Sequence, residues 1–339
     1  MSEVPQALCA PLEPVPRCDG EVCSPSGSFF LAVERSPSRP TPLTLKLGNG
    51  RTWQILPDPA TDAWVRKLGE ILGISRTGPT DQTGHQRILL FSSLQAGTQS
   101  MAPAWEPAAE RRQGLPRSGR SSINLGVLRL WFHPACNDIF CYLSPKNDHV
   151  TTVLQMQRIL VPIFLHACHG GGMPFHAALV ESSGRGVLLV GSGGAGKSTC
   201  CRRLPSTWSV LGDDAALVLE NGFGNYRGQP LPTWSNHLFS RGTRVVSMNR
   251  SVCLSALVFL EQAKTNELVP LAKGEAAALA TQSALETFYQ VWWQMGSDKE
   301  RRLRTTLFDN AAALVKSLPT YRLRSTVYGR FWERIEEVL

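Results

Sequence analysis

Short apolar runs separated by turn residues fill the first third of the chain. Alternating apolar positions predict strands at residues 29–33, 43–47 and 53–56, and a turn at Asn49-Gly50 joins the last two as a hairpin. At residues 60–72 apolar side chains recur every three or four positions, which predicts a helix. The pattern therefore indicates a small α+β unit ahead of the middle of the chain.

The middle of the chain predicts a second hairpin and a long helix. Residues 127–132 and 139–143 predict two paired strands, and residues 148–168 predict one helix. Two segments lack periodicity: residues 1–27 are rich in proline, serine and cysteine, and residues 94–122 are rich in glycine, proline and arginine. We expect the first to be a flexible lead and the second a mobile loop.

The second half of the chain alternates between strand and helix patterns. Strands are expected at residues 187–190, 208–212, 216–219, 224–227, 255–260 and 321–326, and helices at residues 275–295, 310–318 and 330–338. This order predicts an α/β (α+β) fold of two domains. The second domain, residues 148–339, would have a mixed central sheet, and a smaller α+β domain, residues 28–147, would precede it.

Composition agrees with two folded domains and restricts the partners. The 339 residues are 42% hydrophobic and carry a formal net charge of +8. Because the arginines are spread along the chain and no stripe of aromatic residues accompanies them, we expect no nucleic-acid recognition. The longest apolar stretch, residues 159–168, is far too short to span a bilayer, so we expect no membrane partner.

Cysteine usage indicates a reducing compartment. The nine cysteines include no Cys-x-x-Cys pair, and the first residues lack a basic segment followed by an apolar core. We therefore expect reduced thiols and a cytoplasmic protein. Cys168 lies between His166 and His169, but the three side chains would point to different faces of a helix end, which argues against a zinc site.

The most informative motif is an apolar run that ends in a glycine-rich loop. Residues 187–190 lead into Gly191-x-x-x-x-Gly196-Lys197-Ser198, the spacing of a phosphate-binding P-loop. Glycines let the backbone turn its N–H groups toward a polyphosphate, and the following helix adds the positive end of its dipole. The alternative is a glycine-rich turn that binds nothing. We predict ATP binding, with Mg²⁺ at the Ser198 hydroxyl, by Gly191, Ser192, Gly193, Gly194, Ala195, Gly196, Lys197, Ser198 and Thr199.

Two adjacent carboxylates follow the next strand. Asp213 and Asp214 end the short apolar run that begins at Trp208. In an open α/β sheet, ligands bind beyond the carboxyl ends of the strands, so we expect these acids to face phosphates held by the loop. One carboxylate can hold Mg²⁺ while the other accepts a proton from an attacking hydroxyl. The alternative is an ordinary turn, in which aspartate is common.

A histidine precedes the hairpin that leads into the glycine-rich loop. His176 lies before an apolar run that ends at Val180, and residues 181–184 form the turn into the loop strand. The hairpin would place His176 near the phosphates, where an imidazole can bind phosphate or tune a carboxylate. A histidine beside an apolar strand is also commonly a buried structural residue.

Together these three motifs resemble a known family. His176-Ala177 before a hairpin, Gly196-Lys197-Ser198-Thr199 in the loop and Gly212-Asp213-Asp214 after a short strand are similar to the HPr kinase/phosphorylase-like P-loop kinases. Those kinases share the fold of phosphoenolpyruvate carboxykinases, and the resemblance covers roughly residues 150–330. Within that group, the divergent first half and residues 230–235 most resemble the kinase-like proteins of SynChlorMet peptide-modification cassettes.

The resemblance implies a role for each matching residue. Lys197 would bind the ATP phosphates, and Ser198 would bind Mg²⁺. Asp213 would act as general base toward the acceptor hydroxyl, and Asp214 would support the metal. His176 would assist at the phosphate.

The sequence departs from the family pattern at one place, and it leaves two classes of function open. In the family, a glycine-rich acidic stretch after the paired acids helps to bind the metal and to run phosphorolysis, but residues 226–230 carry no acid. We predict a serine kinase that transfers the γ-phosphoryl group of ATP to a ribosomally made peptide or small protein, alongside other peptide-modifying enzymes. The alternative is a nucleotide-gated protein that presents a peptide. A carboxykinase would need further metal ligands that the sequence does not offer.

Overall fold

The computed structural model describes residues 41–76, 86–92, 121–133, 136–144, 148–222, 224–241, 246–292 and 297–339. These residues form two β-sheets, one from each half of the chain. The predicted lead and the predicted strand at residues 29–33 lie outside the described residues. So does most of the predicted loop at residues 94–122, of which Ser121 and Ser122 begin a strand.

The first sheet has six strands in the order β1-β2-β3-β6-β5-β4. They are β1 Leu43–Lys46, β2 Thr52–Leu56, β3 Gln86–Ser92, β4 Ser121–Asn124, β5 Leu128–His133 and β6 Cys136–Leu143. β2, β3 and β6 run parallel, and the remaining neighbours are antiparallel. The predicted β1–β2 and β5–β6 pairings are confirmed, whereas β3 and β4 are absent from the sequence-based prediction.

A predicted helix covers this sheet and connects it to the second half of the chain. α1 Asp62–Leu72 buries Val65, Leu68 and Leu72 against the strands. It ends at Gly73, which adopts the left-handed conformation with φ of 62°. A Cβ at this position would lie 2.2 Å from the backbone oxygen of Val246, so glycine satisfies both the turn and the close packing.

The single helix expected at residues 148–168 is wrong, because the chain forms two helices there. α2 His149–Arg158 and α3 Val161–His169 are separated by a short turn. Pro162 lies in the first turn of α3, where a residue without an N–H group is tolerated, and it cannot continue the hydrogen bonds of α2.

Among the described residues, His149–His169 is the one stretch whose length and apolar composition would suffice to cross a membrane. Of its most apolar window, 61% is buried inside the protein. Core helices of folded proteins pass the same composition test, so this stretch is weak evidence for a membrane span.

The second sheet has nine strands and is mixed, as predicted. Its main order is β10-β8-β9-β13-β12-β11-β7, with β15 beside β13 and β14 beside β15. The strands are β7 Met173–Phe175, β8 Ala177–Ser182, β9 Arg185–Val190, β10 Trp208–Gly212, β11 Ala215–Glu220, β12 Tyr226–Leu231, β13 Val252–Gln262, β14 Glu267–Pro270 and β15 Thr320–Ser325. β13 runs parallel to β9 and to β15, and the other pairs are antiparallel.

The helices of the second half connect and cover these strands. They are α4 Lys197–Arg203, α5 Trp234–Leu238, α6 Lys273–Trp292, α7 Ser297–Ser317 and α8 Phe331–Glu336. α6 and α7 pack on each other and on β7. The helix predicted at residues 310–318 is only the last part of α7, which begins at Ser297.

A buried glutamine joins the two sheets. Gln229 in β12 is 0% exposed, and its Nε2 donates to the backbone oxygens of Lys46, at 3.0 Å, and Met248. Its Oε1 accepts from the N–H of Gly48 at 3.0 Å. Buried apolar side chains from both sheets belong to one continuous cluster. The two halves of the chain therefore share a core.

Candidate functional site

Chain segments that belong to four neighbouring strands meet at one edge of the second sheet. β8 runs opposite to β9 and β10, so the start of β8 and the ends of β9 and β10 lie at the same edge. β13 is parallel to β9 and also ends there. This topology brings together His176, the loop after Val190, the pair Asp213-Asp214, and Gln262.

The glycine-rich loop turns between β9 and α4. Gly194 and Gly196 have φ values of 82° and 105°, a region that glycine enters without steric cost. A Cβ built at either position would meet nothing within 4 Å, so the loop borders open space. Gln262 Nε2 donates to the backbone oxygen of Gly194 at 2.8 Å, which ties the loop to the end of β13.

Lys197 begins α4 and is only 7% exposed. Its Nζ donates to the backbone oxygens of Gly191, at 2.6 Å, and Ser192, at 3.1 Å. Burial lowers the pKa of Lys197, and the carboxylates of Asp214 and Glu286 act in the opposite direction. A buried ammonium group held by the loop itself is in position to exchange these carbonyl partners for phosphate oxygens.

His176 connects the paired acids to α6. Its Nδ1 lies 3.7 Å from Oδ1 of Asp214. The backbone N–H of His176 donates to Ser283 Oγ at 3.0 Å, and the Ser283 hydroxyl can donate to the backbone oxygen of His176 at 3.3 Å. Burial, followed by the charge of Lys197, lowers the pKa of His176, while Asp214 and Glu286 oppose the shift. The neutral form of the imidazole is therefore favoured more than in a free histidine.

A hydroxyl group orients Asp213 from another direction. Thr233 Oγ1 donates to Asp213 Oδ1 at 2.8 Å. Thr233 lies directly before α5 and two residues after the end of β12, whose last residue Leu231 pairs with Ala215, the residue that follows the acidic pair. Both aspartates are half-buried. This hydrogen bond favours one orientation of the Asp213 carboxylate at the edge of the sheet.

One acid of this site belongs to none of the sequence motifs. Glu286 lies on α6, close enough to His176 and Lys197 for its charge to raise the pKa of each. Gln282 Nε2 donates to Glu286 Oε1 at 3.2 Å. Glu286 follows Ser283 by one helical turn, on the helix face that holds His176. The sequence alone does not indicate Glu286 as a site residue. Its position at the site follows only from the contact between Ser283 and His176.

The donor set fits a magnesium-bound nucleotide. Ser198 is exposed at the start of α4, and Asp214 is at the same edge of the sheet. Within the described residues no group of three or more His, Cys, Asp and Glu side chains could hold a metal ion without other ligands. Mg²⁺ bound by one or two protein groups together with substrate phosphates needs no such cluster.

The His166 region has a different environment. A guanidinium nitrogen of Arg51 contacts His166 Nε2, and the Trp53 ring meets the imidazole edge-on with centroids 5.6 Å apart. Burial, with smaller contributions from Arg51 and His169, lowers the pKa of His166 to about 4. This histidine contacts Arg51 and Trp53 from the first half of the chain, and its helix α3 packs on β7 and β11 of the second sheet.

Comparison with known proteins places this arrangement in a family. Residues 139–339 match the family model of the SynChlorMet cassette protein ScmC. The matched region exceeds half of the chain and contains every site residue described above. A search of curated proteins found no match. The cassette branch of the predicted resemblance is thus confirmed, and the chain belongs to the family of the SynChlorMet cassette protein ScmC.

Proposed function

We propose that this protein is an ATP- and Mg²⁺-dependent kinase that phosphorylates a serine hydroxyl of a ribosomally made peptide or small protein. The observation that carries the proposal is the meeting of the buried loop lysine Lys197 with the His176–Asp214 pair and Asp213 at one sheet edge. Membership of a cassette family supports a place in a peptide-modification pathway, beside other peptide-modifying enzymes.

The loop and two side chains would hold the nucleotide and its metal. Backbone N–H groups of residues 191–196 and the Lys197 ammonium group would bind the phosphates, and Ser198 and Asp214 would bind Mg²⁺. The bound nucleotide supplies the phosphoryl group that is transferred. Because Lys197 is buried, its attraction to an anion is screened less than at the surface.

Asp213 would act as the general base. As the acceptor oxygen forms its bond to phosphorus, the O–H bond breaks and the proton moves to the Asp213 carboxylate, with ADP as the leaving group. The hydrogen bond from Thr233 keeps the carboxylate oriented toward the acceptor. Orientation of this kind contributes to catalysis because the reacting groups need not search for their geometry.

His176 would support the metal-binding carboxylate. Nδ1 lies 3.7 Å from the Asp214 carboxylate, which is longer than a hydrogen bond, and a hydrogen on Nδ1 would donate to that carboxylate on a small approach and would leave Nε2 as an acceptor. Ser283 fixes the backbone of His176, and so α6 sets the position of the ring. His176 thereby links α6 to the edge of the sheet at which the phosphates would bind.

Two substitutions separate binding from transfer. We expect Lys197→Ala to lower ATP affinity by roughly a hundredfold, because a buried ammonium contact to phosphate is lost. We expect Asp213→Asn to keep ATP affinity within about twofold and to abolish transfer. ATP affinity is measured by calorimetry. Transfer is measured by the intact mass of free serine and of candidate serine peptides after incubation with Mg²⁺ and ATP.

Asp309→Asn, at an exposed position of α7, serves as the control and should behave as wild type in both assays. An equal loss of ATP affinity in the Lys197 and Asp213 variants would refute the proposed base. ATP binding by wild type without any transfer would favour the nucleotide-gated presenter.

A further inference from the structure

The segment that holds Asp213 continues into an exposed surface with basic and apolar side chains. Thr233 bonds to Asp213, and α5 follows directly after it. We define the α5 surface as the residues Lys67, His149, Val150, His237, Phe239 and Arg241. The α5 surface therefore begins beside the residue that hydrogen-bonds to the proposed base.

Two large apolar side chains of the α5 surface face solvent. Phe239 is 66% exposed and Val150 is 52% exposed. The guanidinium carbon of Arg241 lies 5.2 Å from the centre of the Phe239 ring, which is cation–π geometry. An exposed phenylalanine held beside a cation offers a partner both an apolar face and a charge.

The two formally charged residues of the α5 surface, Lys67 and Arg241, are both positive. His149 Nε2 lies 2.9 Å from the backbone oxygen of His237, which joins α2 to α5. Burial, then the neighbouring His149 and Lys67, lowers the pKa of His237. Asp148, the acid next to His149, accepts from the Thr151 N–H and so caps α2. Anionic partners are therefore favoured here over cationic ones.

The length of α5 gives the distance between Thr233 and Phe239, which a bound peptide would have to span. Phe239 lies six residues after Thr233, and at a helical rise of about 1.5 Å per residue the two are separated by roughly 9 Å. An extended peptide covers that distance in about three residues. A side chain packed on Phe239 would thus belong to a residue about three positions from the serine at Asp213.

We propose that the α5 surface docks the acceptor segment, an acidic peptide that carries an aromatic or aliphatic side chain about three residues from its phosphorylated serine. The proposal rests on the proposed kinase function, and it names the substrate class of that site. Charge complementarity selects an acidic segment, and the exposed Phe239 selects the apolar side chain.

Short fluorescein-labelled peptides test the proposal by fluorescence anisotropy with the full chain. The first has a central serine, glutamates on its flanks and phenylalanine three positions away. The second replaces phenylalanine by alanine, and the third replaces the glutamates by lysines. We expect the first to bind about tenfold more tightly than the third and about fivefold more tightly than the second.

Variants of the α5 surface should weaken binding of the first peptide without touching the nucleotide site. We expect Arg241→Glu to cost about tenfold and Phe239→Ala about fivefold in affinity, with ATP affinity unchanged. Phe308→Ala and Arg301→Glu, at exposed positions of α7, are matched controls and should stay within about twofold of wild type.

Equal affinity for all three peptides, or for wild type and the α5 variants, would overturn the docking proposal even if transfer occurs. Tighter binding of the lysine peptide would overturn it as well. The experiment distinguishes failure of the docking proposal from failure of the proposed kinase function. If the protein binds the first peptide selectively but transfers no phosphoryl group, the kinase function is refuted and the docking proposal stands. Peptide binding by Lys197→Ala serves as the check, since docking does not need ATP.

Discussion

Thr233 is the residue through which the base of the proposed reaction is oriented. Its hydroxyl donates to Asp213 at 2.8 Å, and valine has the same shape without the donor. Because a hydrogen bond to a charged group contributes about 1.5–3 kcal/mol, we expect Thr233→Val to slow transfer by roughly tenfold or more. ATP affinity should not change. Turnover and ATP affinity are measured together on wild type and variant.

Thr233→Ser supplies the matched control for this prediction. Serine keeps the hydroxyl and loses only a methyl group, so transfer should return close to the wild-type rate. A loss in Thr233→Ser as large as that in Thr233→Val would contradict the prediction, since serine keeps the hydrogen bond to Asp213.

His166 makes the stability of the fold depend on pH, and the lowered pKa of His176 acts in the same direction. The pKa of His166 in the folded chain is about 4, against an ordinary value of 6.5. Between these values the unfolded chain binds a proton at His166 that the folded chain does not, so stability falls as the pH is lowered. From pH 7 to pH 5 we expect this histidine to account for a loss of about 1 kcal/mol, after discounting for partial exposure.

Urea unfolding at both pH values checks this prediction with His166→Gln, whose stability should depend less on pH than that of wild type. His169→Gln, at the exposed end of α3, should keep most of the wild-type dependence, because His169 is the smallest of the causes that lower the pKa of His166. If His166→Gln loses as much stability as wild type between pH 7 and pH 5, another group is responsible.

At the scale of elements, Gly73 joins the end of α1 to the second half of the chain. Alanine there would have to hold φ of 62° and would bring its Cβ within 2.2 Å of the Val246 oxygen. We expect Gly73→Ala to lower the free energy of unfolding by roughly 2–3 kcal/mol. The control is Gly50→Ala, with φ of 83° and nothing within 4 Å, which should cost about 1 kcal/mol.

Denaturant titrations of the two alanine variants measure the difference. Equal losses at both glycines would mean that backbone conformation alone decides the cost and that the contact with Val246 is unimportant.

Helices and strands whose apolar residues recur with a regular helical or strand spacing could be predicted from the sequence, and the other elements could not. The hairpin of β8 and β9 and the strand β13 follow from clear runs between turn residues. In β3, Ile88 and Leu90 are buried, but Phe91 stacks on Tyr142 across the other face, with centroids 5.3 Å apart. Because both faces are apolar, the alternation that predicts a strand is hidden.

The first part of α7 escapes prediction for a related reason. In residues 297–309 only a narrow stripe is buried, with Leu303 and Leu307 a helical turn apart among charged side chains. At the candidate site, Lys197 and Asp214 follow motifs with fixed spacing. Glu286 comes to the same edge on a distant helix, and only tertiary packing brings it there.

At the scale of the whole molecule, Gln229 satisfies backbone groups from separate segments of the chain. Methionine would fill its space but would leave the oxygens of Lys46 and Met248 and the N–H of Gly48 without this partner. We expect Gln229→Met to lower the free energy of unfolding by roughly 2–4 kcal/mol. Gln282→Met, exposed on α6, should change it by less than about 0.5 kcal/mol.

Because the two sheets share one core, both variants and wild type should unfold in a single transition. Circular dichroism and tryptophan fluorescence, followed in the same urea titration, should give the same midpoint. Two separate midpoints in wild type would contradict this view and would show that the halves of the chain fold independently.

The position of β6 has a practical consequence. The family match begins at Ile139, inside a strand that lies between β3 and β5. A fragment cut where the match starts would keep most of β6 but remove both neighbours, exposing two unpaired hydrogen-bonding edges and the buried side chains Phe140 and Cys141. Such a strand is a template for self-association. A soluble, truncated version of this protein therefore has to be cut on the N-terminal side of the whole first sheet, even though the candidate site lies in the second.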